Sequence, residues 1–247
     1  MTKEQTPGKR GRAMIARPSV DEPVYVPRVL PRGTNSLPRD VVLLSQRSRL
    51  IEATAYSIAE KGYLDTAVAD IISRAGVSRT TFYQQFKDKE DCFLFCFEQL
   101  NDRHLQEMFA ALETPGPIQH RFYRAMEEYV ARLADDGVYT LAFFAEAVNG
   151  GERVQESLAR SKQRIIDSMI RGYKQVQGER PNLPDLPLIV FQLINEGMQA
   201  VLIKNIRDGH SSELPGLVPQ LAYFMFSSLG FHDWANEALN GTILTNH

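Results

Sequence analysis

Cysteine is scarce in this chain, and so is anything that would mark a membrane span, a metal site or a catalytic centre. Cys92 and Cys96 are the only two cysteines and lie one helical turn apart. Two cannot make a disulfide framework, so they read as reduced thiols packed in a core. No further His or Cys stands nearby at ligand spacing, so neither a metal nor a cofactor is expected. No apolar run approaches the roughly 18 residues of a membrane span; the Val41–Leu44 cluster is four residues long. The first residues lack the apolar core of a secretory signal, which predicts a cytoplasmic protein without a membrane partner. Phosphate-binding, nucleophile-elbow and zinc-protease motifs are missing. The five histidines (His104, His120, His210, His232, His247) are scattered. An enzyme is therefore not expected. No window alternates like a strand for more than a few residues, so the fold class is all-α.

What is present is an uneven charge. The net charge is −2. Residues 1–49 hold ten basic and four acidic groups, giving +6 and leaving −8 for the other 198. A basic arm on an acidic body suggests that the arm meets a polyanion and the body does not. Residues 1–36 read as a disordered, Pro-rich basic tail, interrupted by Pro7, Pro18, Pro23, Pro27 and Pro31. Its Lys9-Arg10-Gly11-Arg12 weakly resembles a minor-groove AT-hook core, but Ala13 stands where proline is expected. General phosphate attraction suits it better.

From Pro38 the pattern turns helical. Val41, Leu44, Ser48, Ile51, Ala55 and Ile58 mark one face of a long helix that Gly62 ends. Thr66 is placed to cap a second, short helix with apolar face Val68, Ile71, Ile72 and Ala75. Ala75-Gly76-Val77 makes a tight turn in which glycine tolerates a positive φ. Ser78 starts a third helix through Thr81, Phe82 and Phe86, and Asp88 caps a fourth, with Asp91 completing the box. Two short helices joined by such a turn form a helix-turn-helix. Its second helix would present Arg79, Thr80, Thr81 and Gln84 outward, toward a major groove. Arg79 can bridge guanine O6 and N7 or clamp a phosphate, and either threonine can meet a thymine methyl. The bland alternative, a helix-turn-helix used only for packing, leaves those exposed side chains unexplained.

Residues 46–106 resemble the N-terminal domain of the tetracycline-repressor (TetR) family of bacterial transcription regulators. The resemblance rests on Glu60-Lys61-Gly62-Tyr63, Ala75-Gly76-Val77-Ser78, Phe82-Tyr83 with Phe86, and Lys89-Glu90. Leu37-Pro38-Arg39 leading to Ser45-Gln46-Arg47, and the run Asp88–Leu94, look like a subgroup common in actinobacteria. Two positions depart from the pattern: Gln85 stands where the family often has His, and Ile72 where a small Ala is common. By resemblance Tyr83 and Lys89 bind phosphate oxygens, helped by the N–H groups that open the fourth helix. Thr66 does likewise. Arg47, Ser78, Gln85 and Lys87 complete the candidate DNA contacts.

The remaining chain reads as longer helices at 89–112, 118–135, 138–148, 152–177, 188–208 and 214–230. Three regions follow the tail: a three-helix helix-turn-helix domain over 37–90, a helical effector-binding and dimerisation domain over 91–230, and a C-terminal tail over 231–247. Ten aromatics crowd residues 93–144. By resemblance these helices enclose an effector cavity, for which Phe97, Asn101, His104, Tyr123, Tyr129 and Phe144 are candidates, with Glu146 a further polar group. The 188–208 helix is apolar nearly all round, and 217–226 is similar, so each is covered on both sides. The resemblance implies a homodimer through these last two long helices. The implied function is a cytoplasmic DNA-binding regulator, a repressor released from its operator by a small apolar effector. The alternative is a regulator of the same fold without an effector.

Overall fold

The computed structural model describes residues 39–245. The basic tail, with Lys9-Arg10-Gly11-Arg12, lies outside the described residues. Among them there are helices and no strand. None of these helices is long and apolar enough to cross a membrane.

The first helix, α1, covers Arg39–Asp65 but is broken at Gly62, whose φ of 79° only glycine adopts freely. Helix α2 is Val68–Ala75 and α3 is Arg79–Gln85, with Gly76 between them in the left-handed region at φ 61°. Ser78 caps α3 by accepting the Thr81 N–H at 3.0 Å. Asp88 caps α4, Lys89–Leu112, through the Asp91 N–H at 2.7 Å. Leu50, Ile71 and Phe82 are fully buried and hold the three small helices together. Arg49 reinforces the turn from α1, donating to the Ala75 and Gly76 carbonyls at 3.2 and 3.4 Å.

The larger region is a helical body. Helix α5, Ile118–Asp135, follows α4 after a short loop and packs along it. Helix α6 is Glu152–Glu179, α7 is Leu188–Arg207 and α8 is Val218–Ser228, the last entered through a 3₁₀ segment at Ser211–Leu217. Between α5 and α6 the expected helix over 138–148 is instead a π-helical turn, Thr140–Ala145, followed by a 3₁₀ turn, Ala147–Asn149. The wider turn lets two consecutive aromatics, Phe143 and Phe144, both point inward, where they are buried.

The region expected as a C-terminal tail is folded through most of its length. Phe231 leads into α9, His232–Leu239, which packs on α8. Phe231, Trp234, Ala235 and Ala238 recur at helical spacing and are all buried, as is Ile243. Two turns were too short to stand out as a helix, but burying Trp234 is enough to dock them.

The two regions share one apolar cluster. Phe93 on α4 meets Tyr63 edge-on at 4.8 Å on one side and Phe143 at 5.4 Å on the other. Helix α7 divides its apolar residues: Phe191, Ile194, Leu202 and Ile206 face the core. Leu188, Ile189, Leu193 and Val201 stand 43–61% exposed, and Tyr223 and Phe224 of α8 are 41% and 43% exposed.

Candidate nucleic-acid interface and internal cavity

Helix α3 buries one side chain. Phe82 is fully buried and stacks near Phe86 at 5.9 Å, which turns the opposite face of the helix outward. On that face Arg79 and Tyr83 lie one turn apart, as do Thr80 and Gln84, and all four are exposed. Lys87, just past the helix, is exposed as well. Thr81 is half-buried and its hydroxyl pairs with Ser78 Oγ at 2.9 Å. The result is a short rod offering a guanidinium, hydroxyls, a phenol and an amide from a rigid base. That is the chemistry needed to read base edges and grip phosphates.

Four other candidates are turned to different tasks. Thr66 is buried, and its hydroxyl donates to the carbonyls of Gly62 at 2.7 Å and Ser57 at 3.2 Å. It closes the end of α1 rather than opening α2, whose first turn is capped by Asp70 accepting the Ala67 N–H at 2.9 Å. The Lys89 ammonium donates to the Tyr63 carbonyl at 2.7 Å and lies 4.3 Å above the Tyr63 ring. Burial pulls its pKa down against the opposing charge of Asp65. The Arg47 guanidinium is spread over the Phe95 ring at 4.1 Å and near Phe86 at 5.4 Å. Gln85 donates back to the Leu43 carbonyl on α1 at 3.4 Å. Arg47, Thr66, Gln85 and Lys89 thus brace the helices that carry the exposed face. For Arg47, Gln85 and Lys89 spacing could not separate these two roles, because each carbonyl or ring is supplied by a distant part of the chain.

The expected cavity residues are likewise brought together, as packing. Phe97 and Phe144 are 6.4 Å apart, and His104 lies 5.9 Å from Phe144 and 6.4 Å from Tyr129. Asn101 donates to Ser161 Oγ at 2.7 Å. His104 and Arg103 both pair with Asp136. Burial disfavours the Asp136 carboxylate, but hydrogen bonds and charge from His104 and Arg103 outweigh it and hold its pKa below the ordinary value. Tyr123 is buried on α5.

The open space lies further along the bundle, between α4, α5, α6, α7 and α8. It amounts to about 620 Å³ of volume not filled by atoms, part of it open to solvent. Of the six expected residues only Tyr129 lines it. Met108, Met126, Met169, Met198 and Met225 line it too, five of the chain's seven methionines. Phe122 and Leu112 add apolar wall, and Ser168, Asn195 and Gln199 supply the other polar groups. Burial pushes the Tyr129 phenol upward, so it stays protonated, and Gln199 reaches its oxygen at 3.5 Å. The five methionines, whose unbranched side chains fit irregular space, are spread over residues 108–225, so only the fold gathers them.

Residues 50–95 match the model of the family described as bacterial regulatory proteins, tetR family. Over those residues the helix-turn-helix is similar to that family. A fatty acid metabolism regulator protein of Bacillus subtilis is 24% identical over 128 residues, 52% of this chain and 62% of that protein. The HTH-type transcriptional activator FasR of Mycolicibacterium smegmatis is 29% identical over 113 residues, 45% of this chain and 50% of that one. The matched segments thus span between half and two thirds of these relatives. Among solved structures, the fatty acid degradation regulator FadR of Bacillus halodurans superposes with a TM-score of 0.62 at 19% identity, over 73% of this chain and 94% of its own. FadR of B. subtilis, solved in complex with stearoyl-CoA, gives 0.61 at 16% identity, over 73% and 98%. The fold is therefore shared along most of those chains.

Glu146, expected among the cavity's polar groups, instead joins the helix-turn-helix domain to the body. Its Oε2 accepts the Tyr63 N–H at 3.0 Å, just past the break at Gly62, and the Asn149 amide at 2.9 Å. Its Oε1 lies 3.8 Å from Arg207 at the end of α7. On the opposite side of α4, Arg153 at the start of α6 pairs with Asp91 at 3.0 Å and its N–H reaches Glu90 at 3.1 Å.

Proposed function

We propose that the protein is a sequence-specific DNA-binding transcription regulator, a repressor released from its operator by a small apolar effector. The observation that carries the reading is the exposed row of Arg79, Thr80, Tyr83 and Gln84 on a helix anchored by the fully buried Phe82. In this reading Arg79 and Thr80 read base edges, and Tyr83 and Lys87 grip phosphates. Ser78, Thr81 and the bracing residues Arg47, Thr66, Gln85 and Lys89 set the pose of the reading helix.

A homodimer supplies two such helices to successive turns of the major groove, about 34–36 Å apart. The exposed apolar residues of α7 and α8 support a two-fold interface there, since an apolar strip of this kind marks an association site. The uncharged cavity and the relatives named for fatty acid regulation support a fatty-acyl compound as effector. Similarity to the M. smegmatis regulator supports placement in an actinobacterial subgroup.

The test is selection of bound fragments from genomic DNA, followed by operator binding with and without acyl compounds. A palindromic site whose affinity falls when an acyl compound is added is the expected result, and by linkage the DNA must weaken that compound's binding equally. A protein that recovers no fragment above background would refute the reading.

A further inference from the structure

We infer that the cavity is the first of two chambers of one channel, and that the channel takes an uncharged molecule with a carbonyl group and a single long alkyl chain. This rests on the effector reading above and adds the ligand's charge, its polar anchor and its length.

A second, narrower space, about 250 Å³ of volume not filled by atoms and part of it open to solvent, lies under α9 between Tyr173, Val176, Leu229, Phe231 and Trp234. Both cavities are lined by Phe122, Met169 and Met225, so these three side chains form the partition. Two of the three are methionines, unbranched and able to change rotamer at small cost. The third depends on a glycine. A Cβ at Gly172, in the middle of α6, would lie 2.2 Å from the Phe122 ring, so the ring occupies the partition only because residue 172 has no side chain. A flexible partition between two apolar spaces admits a narrow chain more readily than a rigid ring.

The walls state the ligand's charge. Among the described residues no Lys, Arg, His, Asp or Glu lines either chamber. A carboxylate inside would lose its hydration and find no counter-charge. One polar group is left open: Asn195 is 4% exposed and its Nδ2 donates to no group among the described residues. An amide N–H needs an acceptor, and a carbonyl oxygen of an ester, thioester or amide is an uncharged one. The other polar groups have other engagements: Ser168 donates to the Ile165 carbonyl at 2.7 Å, and Gln199 reaches the Tyr129 oxygen.

Trp234 is the chain's one tryptophan and lines the second chamber, so its emission reports on that chamber alone. The probes are the methyl esters of 6-bromohexanoate and 16-bromohexadecanoate, whose terminal bromine quenches tryptophan on contact, and free 16-bromohexadecanoate. Binding to the full chain is followed by thermal shift and by Trp234 emission at pH 8. The expected result is that both esters stabilise the protein, only the long one quenches Trp234, and the long ester binds at least tenfold more tightly than its free acid. Asn195→Leu should erase most of that tenfold preference, and Val176→Phe should abolish quenching while the short ester still binds.

A long ester that binds without quenching, or a short one that quenches equally, overturns the second chamber. Equal affinity for ester and acid overturns the uncharged head group. If neither ester stabilises the protein, the inference and the effector reading of the cavity fall together, whereas the first two outcomes leave that reading standing. Should Val176→Phe fail to fold, the comparison of the two esters on the unsubstituted protein decides the matter.

Discussion

Replacing Glu146 tests the joint between the DNA-reading domain and the body. Its carboxylate is 18% exposed and accepts from the Tyr63 N–H and from Asn149, with Arg207 3.8 Å away. A hydrogen bond to a charged group contributes about 1.5–3 kcal/mol, against about 0.5–1.5 kcal/mol for a neutral pair. Glu146→Gln keeps the shape and one acceptor oxygen, so its cost should be about 1 kcal/mol. Glu146→Ala strands the Tyr63 N–H beside a broken helix, and its cost should be about 2–3 kcal/mol, the upper part of the penalty for an unpaired buried donor. For a domain of this size 1 kcal/mol moves Tm by about 2–4 °C. The Gln variant should therefore melt about 2–4 °C low and the Ala variant about 4–12 °C low by calorimetry on the full chain. The Ala variant should also lose hydrogen-exchange protection at the Tyr63 amide while α5 keeps its own. An Ala variant that melts within about 1 °C of the parent, with Tyr63 still protected, would refute the reasoning.

Arg79→Ala or Thr80→Ala should change which operator sequences bind, by about 1–3 kcal/mol per lost base contact, whereas Tyr83→Ala should weaken all DNA and flatten the salt dependence; equal effects on the same base positions in a binding-site selection would refute the division. Val201→Glu puts a charge in the proposed two-fold interface, where Val201 is 43% exposed in the single chain, so sedimentation should show monomers that keep their helical circular dichroism. Asp136 has a folded pKa below its unfolded value, so its contribution to stability is complete above about pH 4 and is lost as pH falls through that value toward the lower folded one. Asp136→Asn should accordingly lower Tm at pH 7 and lessen the further loss between pH 4 and pH 2, read from melting curves across that range.

The reading face of α3 was legible from sequence because local rules produce it. Ser78, Gly76 and Asp88 act within a turn of themselves, and the 3.6-residue period decides which of Phe82 and Tyr83 goes inward. The bracing residues were not legible. Lys89 and Gln85 look like free surface groups until α1 and its broken end come within reach, and Arg47 does until the Phe86 and Phe95 rings close on it. The cavity was missed for the same reason. Aromatic crowding located the densest core around Phe97, His104 and Phe144, but empty space arises where helices diverge, and crossing geometry leaves no trace in periodicity. The π-turn escaped because its spacing departs from the helical period, and α9 because two turns carry little pattern.

The ring of Phe93, pressed between Tyr63 and Phe143, erases any thermodynamic border at residue 90. A protease or an engineer looking for a seam between reader and body would cut through the middle of a core. The reader should therefore melt with the body in a single transition rather than ahead of it. A reader excised at that point would leave Tyr63 without its stacking partner, and one grafted onto a foreign body would need matching residues at the positions of Phe93, Phe143 and Glu146. What looks modular along the chain is, in three dimensions, one cooperative solid.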